Sequence, residues 1–137
     1  MLFVDTSVWS LALRRDGGTA APEVLALAAA LLGPEMVVTT GLVLQELLQG
    51  FSGPKGRAAI IECFTALPLL QPDRQDHIDA ADLRNACRRS GVQLGTIDAI
   101  IAQLCMRHDL TLLTTDKDFV HAARHCRLRV WSRDDQP

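Results

Sequence analysis

Short apolar runs alternate with stretches of helical period along this chain. Leu2-Phe3-Val4 is continuous and apolar, then breaks at Asp5-Thr6-Ser7. That predicts a buried strand ending at Asp5 and a helix over 8–13 capped by Thr6 or Ser7. Asp16-Gly17-Gly18 predicts a loop, and Pro22 opens a helix that Gly33-Pro34 stops after residue 32. A β-rich run over 36–39 predicts the second strand, with a helix over 42–48 started by Thr40 or Gly41 and ended near Gly50. Ser52-Gly53-Pro54 is a turn before a helix over 57–66. Leu69-Leu70, between Pro68 and Pro72, is a short third strand. A longer helix over 73–90 closes at Gly91. Thr96 is the expected cap of a helix over 97–108, whose Ile97, Ile100, Ile101, Leu104 and Cys105 recur at helical spacing. A fourth strand over 110–114, a short helix over 118–125 and a fifth strand over 128–131 follow, and 132–137 reads as a frayed tail.

Strands alternating with helices predict an α/β fold, a sheet of parallel strands covered on both faces. With 137 residues, one domain over 1–132 and a tail over 133–137 account for the chain. Ligand sites in such sheets lie outside the carboxyl ends of the strands.

Composition narrows the picture only a little. The apolar share of 48% and charged share of 22% are those of a globular protein. The longest apolar run, 24–32, falls well short of the roughly 20 residues a bilayer crossing takes, so no membrane span is expected. No basic region precedes the first apolar run, so no signal peptide is read there. Cys63, Cys87, Cys105 and Cys126 form no CxxC pair and read as small buried hydrophobes in a reducing, cytoplasmic setting. Net charge is −2, so contact with a polyanion must come from a local patch or from cations.

Four acids give the chain its candidate chemistry. Asp5 ends the first strand and Asp116 ends the fourth, so both stand at one edge of the sheet. Glu46 lies early in the helix after strand two, and Asp98 in the first turn of the helix before strand four. Each has a plain structural alternative. Asp5 and Asp116 can be helix caps, Asp98 a first-turn acid, and Glu46 a solvated helix residue. Together they point towards one crevice, where clustered carboxylates need raised pKa values or a cation. With no His or Cys pattern beside them, hard oxygen donors favour Mg²⁺ or Mn²⁺. Such a site suits phosphodiester hydrolysis. A phospho-acceptor signalling domain shares the alternation but needs an Asp ending strand three and a Lys ending strand five. Leu70-Gln71-Pro72 and Trp131-Ser132 stand there instead.

Five motifs stand in order: Val4-Asp5-Thr6-Ser7-Val8-Trp9, Leu44-Gln45-Glu46-Leu47-Leu48-Gln49-Gly50, Leu83-Arg84 before Gly91, Thr96-Ile97-Asp98-Ala99-Ile100-Ile101-Ala102, and Leu113-Thr114-Thr115-Asp116-Lys117-Asp118-Phe119. In these the chain resembles the PIN-domain nucleases of the VapC toxin type, over essentially its whole length. The resemblance implies a three-layer α/β/α sandwich on a five-stranded parallel sheet and Mg²⁺- or Mn²⁺-dependent endoribonuclease activity. It implies Asp5 and Asp98 as principal metal ligands, Glu46 as an acid that binds metal or orients water, and Asp116 as the fourth. Asp118 is a secondary candidate. It implies further an RNA substrate (often transfer RNA), a VapB-type antitoxin whose tail occupies the groove, and a homodimer. The alternative within the same fold is a metal-binding partner module without turnover.

Thr6, Ser7, Thr96 and Thr115 flank the acids and read as helix caps or as hydrogen-bond donors to carboxylates. Arg84 and Arg88 share a helix face and, with Arg89, are candidate contacts for RNA phosphates or antitoxin acids, or a solvated helix end; Lys117, beside Asp116, is a further phosphate candidate. His77, His108, His121 and His125 form no metal spacing with a third ligand and read as surface residues.

Overall fold

A computed structural model describes residues 1–14 and 21–135. Among these residues five strands are separated by single helices or helix pairs, seven α-helices in all: β1 (Leu2–Val4), α1 (Thr6–Leu13), α2 (Pro22–Leu32), β2 (Val37–Thr40), α3 (Gly41–Gly50), α4 (Pro54–Thr65), β3 (Leu69–Leu70), α5 (Arg74–Arg89), α6 (Thr96–Arg107), β4 (Thr111–Leu113), α7 (Lys117–Ala122) and β5 (Arg129–Val130). The strands form one parallel sheet in the order β3-β2-β1-β4-β5. Going out from β1, the chain builds β2 and β3 on one side and β4 and β5 on the other. The topological switch point therefore lies between β1 and β4, where open α/β sheets form their ligand crevice.

β1 is the centre of the sheet and has no polar residue. Phe3 and Val4 are wholly buried, as are Leu112 and Leu113 on the neighbouring β4. Leu47 of α3, Ile60 of α4, Ile101 of α6 and Phe119 of α7 pack into the same core. Trp9 of α1 stacks against Phe64 of α4 with ring centroids 4.9 Å apart, which ties the first helix to the fourth. A second, smaller cluster joins Ala80 of α5 to Ala99, Ile100 and Leu104 of α6. Small side chains there let α5 and α6 approach closely.

The elements follow the hydrophobic pattern, and the departures concern caps and edges. The second strand sits one residue later than expected, and the fourth and fifth are shorter than their apolar runs. Asp5, not Thr6 or Ser7, is the extended residue before α1, and Gly95, not Thr96, precedes α6. Thr40 does cap α3, its hydroxyl accepting from the Val43 N–H at 3.3 Å. Asp73 and Asp76 complete a reciprocal capping box at the start of α5. The loop expected at 16–18 lies outside the described residues. Within the expected tail, Arg133–Asp135 coils into a 3-10 turn. Cys87 and Cys105 are buried and Cys126 half-buried, but Cys63 is exposed. Ile60 and Phe64 take the inward face of α4 and leave Cys63 on the outer one.

Gly91 ends α5 with φ of 80°, a left-handed conformation in which a Cβ is strained even though nothing blocks it. Gly91→Ala is expected to cost about 1 kcal/mol of stability, read as a lowered urea midpoint at unchanged slope.

Candidate active site

The site is built from strand ends and first helical turns. The Asp5 N–H donates to the Leu113 carbonyl at 2.9 Å, extending the β1–β4 ladder and fixing Asp5 at the switch point. The residue is buried, with only 6% of its surface exposed. A carboxylate so placed needs partners. Ser7 Oγ donates to Asp5 Oδ2 at 2.8 Å, and Thr114 Oγ1 donates to the same oxygen at 2.9 Å. Neither hydroxyl engages Oδ1. Asp5 therefore does not cap α1 with its side chain. Of the structural alternatives for this residue, the helix cap is the one the geometry removes.

Thr114 ties the two strand ends together. While donating to Asp5, its Oγ1 accepts the Asp116 N–H at 3.0 Å. Ser7 Oγ likewise accepts the Thr115 N–H at 3.1 Å. Asp5, Ser7, Thr114 and the turn into α7 thus form one hydrogen-bonded unit. Asp116 caps α7, its Oδ1 accepting from the Asp118 N–H at 2.9 Å. Here the capping role is real, and it leaves Oδ2 outside that bond. Glu46, half-buried on α3, is held from across the crevice: Thr6 Oγ1 donates to its Oε1 at 2.9 Å. Glu46 is therefore not a free solvated acid.

Asp98 completes the set. It is the third residue of α6, close to the Gly95 N–H, which favours its charged form. Its pKa is nevertheless pushed up to about 6. Burial is the largest cause, followed by the charges of Asp5 and Asp116, with Glu46 adding to them; the Gly95 N–H opposes these. All four sequence candidates therefore share one electrostatic neighbourhood. Deeper in α6, two turns below Asp98, Cys105 is almost wholly buried. Burial and the charge of Asp5 hold its thiol far above the ordinary range, so it is an inert core residue.

Among the described residues, no group of three or more His, Cys, Asp or Glu side chains closes tightly enough to hold a metal ion as it stands. The acids are gathered but spread around a crevice. Mg²⁺ suits such an arrangement, since it keeps several waters and takes only one or two protein carboxylates directly.

Two of the four flanking hydroxyl residues hold carboxylates: Thr6 on Glu46 and Ser7 on Asp5. Thr115 contributes a backbone N–H. Lys117 and Asp118 are exposed. Thr114 escapes a reading by sequence motif, although a polar residue closing the run Leu112-Leu113-Thr114 at a strand end was a usable signal. Thr114→Val keeps the shape and removes the bond to Asp5 and the acceptor for Asp116. The expected result is a loss of metal affinity on the order of 10- to 100-fold, measured by equilibrium dialysis with Mn²⁺.

A sequence profile for the PIN domain matches residues 2–125. The chain is 32% identical to Ribonuclease VapC11 of Mycobacterium tuberculosis, over 96% of this chain and 98% of that one. Among solved structures it is similar to VapBC-1 of nontypeable Haemophilus influenzae, with a TM-score of 0.73 at 19% identity, covering 96% of this chain and 98% of the other. It is similar also to VapC20 of Mycobacterium tuberculosis, described as a Sarcin-Ricin loop cleaving toxin, with a TM-score of 0.67 at 21% identity over 89% and 95% of the two chains. These two share its fold. The profile match over most of the chain and the near full-length identity to VapC11 place this protein: it belongs to the PIN-domain family, in the VapC group.

Proposed function

We propose that the chain is a Mg²⁺- or Mn²⁺-dependent endoribonuclease and the toxin of a toxin–antitoxin pair. One observation carries this reading. Three carboxylates, Asp5, Asp116 and Glu46, each raise the proton affinity of a fourth, Asp98, at the switch point of the sheet. Such an excess of negative charge calls for a cation, and the oxygen-only donor set fits a hard divalent one. Asp5 and Asp98 would hold it, with Glu46 and Asp116 reaching it directly or through water.

When bound, that cation polarises the phosphodiester and lowers the pKa of a water. The chain's own residues do the rest. Ser7 and Thr114 fix Asp5 by donating to Oδ2, which leaves Oδ1 outside both bonds and free to serve a cation. Thr6 orients Glu46 through Oε1, so that Oε2 is the oxygen open to accept a proton from an attacking water. Burial of Asp5 beneath the crevice keeps bulk water from competing for it.

The relatives' names support RNA as the substrate class: one is called a ribonuclease and another a toxin that cleaves the sarcin–ricin loop. The likeness to VapBC structures, one of them titled a member of a family of toxin-antitoxin systems, supports an antitoxin partner, and a homodimer is part of our reading. No helix among the described residues is long and apolar enough to cross a membrane. Action in the cytoplasm, where the RNA is, follows from the reading.

The test is to express the chain and map RNA ends in the cell. The expected result is a small set of new 5′ ends and growth arrest, both absent with Asp5→Asn. Growth arrest that is equal for both proteins, with no new RNA ends, would sink the reading.

A further inference from the structure

Beside the acids lies a groove of about 430 Å³ lined by Arg84, Arg88, Leu94, Gly95 and Asp118, among others. It adjoins the acid cluster at two points. A Cβ on Gly95 would stand 3.4 Å from Asp98 Oδ2, and the Asp118 N–H is bonded to Asp116. Arg84 and Arg88 lie one turn apart on the same face of α5.

What sets these two arginines apart is their place in the groove beside the acids. Arg107 is paired with Asp73 and Asp76, and Arg129 with Asp109. None of the ion pairs among the described residues involves Arg84 or Arg88. Arg84 is half-buried and pinned, its Nε donating to the Leu94 carbonyl at 3.0 Å. That bond uses one of five N–H donors and leaves the terminal nitrogens for a ligand. Arg88 is exposed. Two guanidinium groups outside any ion pair, one of them preorganised, outnumber the single Asp118 carboxylate in the groove and suit an anion.

We infer that this groove holds an RNA backbone phosphate neighbouring the one that is cut, with Arg88 and the pinned Arg84 as its donors. The inference rests on the ribonuclease reading of the acids. A strand carries a phosphate at every nucleotide, so one seated in the groove sets the next towards Asp98 and Asp116. An acidic peptide has no such repeat to match. The subsite also offsets the repulsion that four acids exert on an incoming polyanion.

The test uses the full chain carrying Asp98→Asn, which is expected to slow cleavage enough to keep RNA intact during a titration, and a short fluorescein-labelled random-sequence RNA titrated by anisotropy in Mg²⁺ at several KCl concentrations. Arg88→Ala should weaken binding about 5- to 10-fold and reduce the salt slope by roughly 0.7, the value for one single-strand phosphate contact. Arg88→Lys should keep the slope. Unchanged affinity and slope with Arg88→Ala would overturn the inference, as would an absence of RNA binding by the parent. So would an Arg88 effect seen only with a labelled oligoglutamate peptide. RNA binding that depends on Arg88, found in a chain whose native form cuts no RNA, would uphold the groove and refute the ribonuclease reading.

Discussion

Asp5→Asn is expected to reduce RNA cleavage by on the order of 10³-fold, equivalent to about 4 kcal/mol of transition-state stabilisation. The substitution is nearly isosteric. Ser7 and Thr114 can still donate to the amide oxygen where they now meet Oδ2. The amide nitrogen then replaces Oδ1 and presents hydrogens to the crevice, where a cation would need a lone pair. Charge and coordination are lost while shape is kept. Single-turnover cleavage measures the effect, and circular dichroism checks that the fold is intact. A residual rate within ten-fold of the parent would mean that Asp5 is there only to anchor Ser7 and Thr114 at the strand ends.

Asp98→Asn should give two effects of opposite sign: at least about 100-fold less cleavage, from the loss of a metal ligand, and a more stable metal-free protein. The stability gain follows from linkage. Asp98 titrates at about 6 in the fold against an ordinary 3.8, so the folded chain holds its proton more tightly. Metal-free stability therefore falls as pH rises from about 3.8 to about 6, and the cost is fully present above that. A shift of this size corresponds to roughly 3 kcal/mol in full burial. Asp98 is partly open to water, and screening reduces that to roughly 1–2 kcal/mol. Thermal melts of metal-free protein at pH 7.5 should show the variant above the parent, with the gap closing towards pH 4. The same proton competes with a cation, so Mn²⁺ should bind the parent about ten-fold more weakly at pH 5 than at pH 7. A variant less stable than the parent at pH 7.5 would make Asp98 a structural acid.

Much of this is legible in the sequence, for reasons that differ by residue. Leu2-Phe3-Val4 is too short and too apolar for anything but a buried central strand, and a charge immediately after it marks a strand end. The caps were less legible. Thr6 and Ser7 have the side chains of caps, yet their hydroxyls serve Glu46 and Asp5. Ser7 reaches back only two positions to Asp5, but Thr6's partner is 40 positions away on α3, and local sequence carries no trace of it. Thr114 was missed for the same reason: its partner is 109 positions distant. The electrostatic link among the four acids depends on the order β3-β2-β1-β4-β5, which sets β1 beside β4. Alternation of elements alone does not supply that order. Arg84 stood out by helical spacing, but its bond to Leu94, the residue before Gly95, appears only when α5 and α6 pack.

The central claim is that these four acids form a site that cuts RNA with a divalent cation. The most direct test is to incubate purified chain, freed of any partner, with total cellular RNA in Mn²⁺, then with excess chelator, then with Mn²⁺ restored. The account predicts discrete cleavage products that vanish with chelator, return with Mn²⁺ and never form with Asp5→Asn or Asp98→Asn. Cleavage that persists in chelator, or that survives both substitutions, would contradict it.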